Sequence, residues 1–152
     1  MQVIFIALFI INLIAFFVPK RLSKIEMYST SLFGLLWGHV VDMALDLKLK
    51  IYYYFDKGLQ WADFLVPFLI YPSITILFLN YYPFAKGKKM KFYYILGWST
   101  FSIIFEWLSE LTGFFTHVEW KLWHSALVYP ILFLILIGHL MIIKKLLNED
   151  IH

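Results

Sequence analysis

The chain has 152 residues, 62% of them hydrophobic and 21% aromatic, with only 15% charged and a mean hydropathy of +0.76. A soluble domain is nearer half apolar and a quarter charged; the excess here falls in long uninterrupted runs, which points to the membrane class. Thirteen Lys and Arg against ten Asp and Glu leave a net charge of +3, too modest to argue for nucleic acid, and the lack of cysteine excludes disulfides, thiolate catalysis and cysteine-based metal sites.

Residues 3–18 form an almost unbroken apolar run, interrupted by Asn12 and closed by Pro19, Lys20 and Arg21. At about 1.5 Å per residue it is just long enough to span a bilayer. A signal peptide is the rival reading. No basic residue precedes the run and no small-residue cleavage site follows it, so a retained first helix is expected.

Residues 25–47 make a second span, in which His39, Asp42 and Asp46 stand at i, i+3 and i+7 on one helical face. Residues 48–60 are polar and aromatic and read as a loop. Residues 61–82 form a third span containing Pro67 and Pro72, tolerated in membrane helices where neighbours satisfy the freed carbonyls. A short basic loop over 83–91 (PFAKGKKMK) leads to a fourth span, 92–113, which carries Glu106 and Glu110 one turn apart. Residues 114–121 read as a tight connection. The fifth span, 122–143, contains Pro130 and His139 and closes on Lys144 and Lys145. The sequence therefore predicts an all-α integral membrane protein: one five-helix transmembrane bundle over residues 1–152, with no soluble domain.

The cations orient it. Nine of the thirteen Lys and Arg fall in the first and third loops and the tail, and four on the other side. The positive-inside rule then puts the N-terminus outside and the C-terminus in the cytoplasm, with Trp61, Trp120 and Trp123 at the outer interface.

Helices 2 and 3 resemble helices 4 and 5. Asp42 and Asp46 are spaced as Glu106 and Glu110 are, 64 residues on, and the same offset carries Lys24 onto Lys88. Trp61 precedes Tyr71-Pro72 as Trp120 precedes Tyr129-Pro130. Both units begin on the same side, as in a parallel repeat about an axis along the membrane normal. Identity between them is low and partly compositional, so duplication and shared composition both remain open.

In this topology His39, Asp42, Asp46, Glu106, Glu110 and His124 all lie in the outer half of the bilayer, with Asp42 and Glu106 about 9 to 11 Å deep. Ionisable groups facing lipid are costly, so the six are expected to face inward. Three chemistries could use such a cluster: a divalent metal held between helices, proton relay or cation binding by crowded carboxylates, and acid–base work on a lipid-like head group. No HExxH, P-loop, GxSxG or GxGxxG motif is present, which speaks for a non-catalytic role.

Blander readings compete. Asp46 and Glu110 suit ordinary helix-end positions, and His124 suits an interfacial helix start. His139 reads as a solvated or structural histidine, and the stripe of Trp98, Phe101, Phe105 and Trp107 as packing. For Asp42 and Glu106 a structural interhelical clamp competes evenly with a functional site.

The stretches VPKRLSKIEMYSTSLF, DLKLKIYYYFDKGLQW, YPSITILFLNYYPF, GWSTFSIIFEWLSELTGFF and WKLWHSALVYPILF resemble an uncharacterised family of small multi-pass membrane proteins from endospore-forming bacteria of the Bacillus and Clostridium type. The resemblance implies a bacterial plasma-membrane protein and carries no activity, cofactor or substrate. Expected partners are the lipid bilayer and a second copy of the chain or another membrane protein. The ranked roles are a non-catalytic membrane component, then a cation- or proton-coupled permeation protein using Asp42 and Glu106, then a metal-dependent membrane enzyme acting on lipid-like substrate.

Overall fold

A computed structural model describes residues 2–49, 52–54, 61–112, 115–117 and 121–149. Five helices account for nearly all of them: α1 (Gln2–Phe17), α2 (Lys24–Leu49), α3 (Trp61–Asn80), α4 (Lys88–Leu111) and α5 (Leu122–Glu149). The five expected helices are all present, with moderate shifts at their ends. α4 begins at Lys88, inside the expected basic loop, because lysines are good helix formers and Gly87 in extended conformation caps the turn before them. α5 runs past 143 to Glu149, a solvent-tolerant polar extension of an apolar helix.

Two short strands were not foreseen. β1 (Tyr52–Tyr54) lies in what the sequence marks as a loop, and β2 (Phe115–His117) in what it marks as a tight connection. They pair antiparallel, Tyr53 opposite Thr116, and join the connection between α2 and α3 to that between α4 and α5. The run of three tyrosines was the available signal, since aromatic and β-branched residues favour extended backbone.

The opposite end is built from side chains. Ser23 and Glu26 form a reciprocal capping box at the start of α2: the Ser23 amide donates to Glu26 Oε2 at 2.7 Å and the Glu26 amide to Ser23 Oγ at 3.2 Å. Asn80, buried at the end of α3, accepts the Arg21 amide at 2.6 Å and donates to the Pro19 carbonyl at 3.0 Å, tying the first connection to the third helix. Lys144 near the end of α5 pairs with Glu26 at 2.8 Å. Consecutive helices therefore run antiparallel. One end gathers the finish of α1, α3 and α5, the start of α2 and α4, and nine of the thirteen Lys and Arg.

Between these ends the core is aromatic. Phe78, fully buried on α3, touches Tyr94 and Trp98 of α4 and Phe133 of α5, the last at 4.4 Å between ring centroids. Tyr94 adds a 2.7 Å hydrogen bond to the Phe78 carbonyl. α1 packs on α3, where Ile4 and Leu8 meet Val66 and Ser73 Oγ donates to Asn12 Oδ1 at 2.8 Å. α2 lies close on α3 because Gly34 and Gly38, four apart, leave room for Thr75 and the Tyr71 ring; a Cβ on either glycine would collide with them.

On α4 the distribution of polarity is inverted for a water-soluble fold. The buried residues of α4 are Ser99, Glu106 and Ser109, while Phe92, Leu96, Ile104, Trp107 and Leu111 are exposed. α1 likewise exposes Phe9, Phe16 and Phe17 at 64 to 77%. Among the described residues one helical stretch, Leu122–Asn148, is by length and composition long and apolar enough to cross a membrane, and only 17% of its apolar window is buried. Ile4–Phe17 and Val66–Asn80 are apolar but shorter.

Candidate functional site

Glu106 points from α4 to α5. Its two carboxylate oxygens each accept one hydroxyl, Ser125 Oγ on Oε1 at 2.7 Å and Tyr129 Oη on Oε2 at 2.7 Å. The arrangement follows from local geometry: Ser125 and Tyr129 are one turn apart on α5, so they present two donors along one face to the two oxygens of a single acid. Glu106 itself is buried, 9% exposed, in the middle of otherwise apolar surroundings. A buried carboxylate requires such donors, each of which is stronger for being charge-assisted.

Asp42 is held in the corresponding way one unit earlier. Tyr71 of α3 donates its hydroxyl to Asp42 Oδ2 of α2. His39 stands beside this pair: its Nδ1 donates to the Leu35 carbonyl at 3.0 Å, and its ring meets Phe68 and Tyr71 edge-on at 5.6 and 6.1 Å. The two tyrosines are those of the repeated Tyr-Pro dipeptides. Asp42 and Glu106 are thus each bound by the Tyr-Pro tyrosine of their own hairpin, and the six candidates divide between hairpins.

The remaining candidates separate further. His124 lies at the start of α5, where Lys121 N–H donates to its Nδ1 at 3.0 Å and its ring stacks on Trp123 at 3.7 Å; it closes the first turn of the helix. Glu110 is exposed on α4, one turn beyond Glu106. Asp46 lies on α2 at a position whose side chain is outside the described residues. Among the described residues no three His, Asp or Glu side chains converge as metal ligands would. His139, half-buried, stacks flat on Phe33 with ring centroids 3.9 Å apart, joining α5 to α2.

Between the two acid–tyrosine pairs lies a half-enclosed cavity of about 140 Å³. All four helices of the two hairpins line it, and both tyrosines take part. Its other aromatic walls are Trp37, Phe101, Phe105 and Phe133, with Gly34 and Gly38 forming the thin wall on α2. Among the described residues no Lys, Arg, Asp or Glu lines it. Sequence reasoning located both acids but missed the hydroxyls that hold them and the cavity between. The signals available were Ser125 and Tyr129 at i and i+4, and the Gly-x-x-x-Gly spacing at Gly34 and Gly38, which marks close helix approach.

These features define a class: a five-helix α-protein made of a leading helix and two acid-clamped helical hairpins around an aromatic cavity. Comparison with protein-family models, curated proteins and solved structures finds no match for the chain.

Proposed function

We propose that the chain is a multi-pass integral membrane protein, a five-span bundle acting as a non-catalytic membrane component with its two acids at the hairpin interfaces. The observation that carries this reading is the inverted polarity of α4, which buries Ser99, Glu106 and Ser109 and turns large apolar side chains outward. In water such a face would drive aggregation; in a bilayer lipid covers it, and the buried Glu106 binds α4 to Ser125 and Tyr129 of α5. The antiparallel order of all five helices and the gathering of nine cations at one end support the same reading. On the positive-inside rule that end is cytoplasmic and the N-terminus is outside. The sequence resemblance supports a bacterial plasma membrane as its setting.

Permeation is the second reading, supported by a cavity at mid-height between the two acid–tyrosine pairs. An enzyme acting through a bound metal has no such support.

The test is topology in intact cells. Cysteines placed at Gly87 and Lys121, at opposite ends of the bundle, should label with an impermeant maleimide from opposite sides of the membrane, Lys121 from outside. Labelling of both from one side, or recovery of the chain in the soluble fraction, would overturn the proposal.

A further inference from the structure

We infer that the cavity between the hairpins is a binding site for a small organic cation of the quaternary ammonium class, an inference that rests on the membrane reading above. Six aromatic side chains surround it: Trp37, Tyr71, Phe101, Phe105, Tyr129 and Phe133. Aromatic rings carry negative potential on their faces and attract cations, most effectively where water is excluded. Two of the six are tyrosines whose hydroxyls donate to carboxylates, Tyr71 to Asp42 and Tyr129 to Glu106. Donation to a carboxylate moves electron density onto the phenol ring and strengthens its pull on a cation. The two carboxyl groups stand just behind these walls, and among the described residues no cationic side chain lines the space.

Size and depth select the ligand. At about 140 Å³ the cavity is of the order that holds one benzene ring, and a trimethylammonium group fills comparable space. Its lining lies far from the helix ends; Gly38 is about 20 Å along α2 from Lys24, at 1.5 Å per residue. A phospholipid head group anchored at the bilayer surface does not reach that depth. A lipid chain would suit an aliphatic slot better than one with six aromatic walls.

The experiment compares choline with dimethylbutanol, its uncharged carbon isostere, by calorimetric titration of the full chain in lipid nanodiscs. Choline should bind at least tenfold more tightly than dimethylbutanol. Phe101→Leu, at a partly exposed wall position, should remove most of that preference while leaving dimethylbutanol binding unchanged, and Phe105→Leu serves as a second variant should the first fail to fold. Glu106→Gln should weaken choline severalfold more than dimethylbutanol. Equal binding of the two ligands would overturn the assignment and leave an apolar site; so would binding of neither to protein that retains its thermal transition. Because these measurements use protein already inserted in nanodiscs, their failure leaves the membrane reading intact, and that reading fails separately in the cysteine labelling.

Discussion

The two hairpins solve one packing problem differently. In α2–α3, glycines at 34 and 38 bring the backbones together, and the Tyr71 phenol meets Asp42. In α4–α5 the positions 64 residues on are Trp98 and Ser102, the aromatic ring helps fill the core against Phe133, and Glu106 reaches two hydroxyls. The longer acid belongs to the hairpin whose corresponding positions, Trp98 and Ser102, are not glycines. A Glu side chain spans one more methylene than Asp and can address two donors spaced a helical turn apart. Close approach therefore lets a short acid reach the facing helix, while a hairpin without that device relies more heavily on its acid. The lesson is that a repeated acid need not carry a repeated load.

That contrast can be broken most sharply at the glycines. Gly38→Leu should destabilise the protein by about 3 kcal/mol or more, because any Cβ there meets the Tyr71 ring. Ser102→Leu, the same position of the second hairpin, faces the cavity and should change stability by less than about 1 kcal/mol. Thermal unfolding in detergent reads both, and similar losses would abolish the distinction. Next come the acids. Glu106→Ala strands the Ser125 and Tyr129 hydroxyls and should cost about 2–4 kcal/mol, against about 1–2 for Asp42→Ala, which strands the Tyr71 hydroxyl among the described residues, consistent with the cost of leaving buried donors unmet. Reversible unfolding of the two variants side by side checks the order; a larger loss at Asp42 would refute it. The smallest effect is expected at Gly97, where an added Cβ meets nothing within 4 Å. Gly97→Ala should stabilise α4 by about 0.5–1 kcal/mol through helix propensity, and a loss in the same assay would reveal a neighbour that this packing lacks.

Much of the architecture was legible along the chain. Five apolar runs separated by charged or aromatic connections led to five helices in the expected places, because the period of a helix and the length of an apolar run are local properties. The pairing of acid spacing with Tyr-Pro dipeptides led to the correct two hairpins, since adjacent antiparallel helices share a short connection. The sequence could also mark Asp42 and Glu106 as needing partners, from the cost of burying a carboxylate. It could not say which partners. Facing one another across the bundle and facing hydroxyls within each hairpin satisfy that cost equally, and Tyr71 and Tyr129 stand 29 and 23 residues from the acids they hold. Nor did it reveal the ribbon of β1 and β2, which requires two connections distant in the chain to meet.

What the sequence alone determined was the count and order of helices, the asymmetry of charge between the two ends, and the identity of the two acids that must be compensated. These follow from hydropathy, periodicity and desolvation, which depend on residues close together in the chain. What only the tertiary structure decided was that Glu106 turns to Ser125 and Tyr129, that Asp42 turns to Tyr71, and that an aromatic cavity remains between the pairs. Those outcomes depend on the rotation of each helix about its own axis. That rotation is set by ridge-and-groove packing with neighbours, by two glycines on α2 and by the bulk of Phe78, none of which acts until the helices meet.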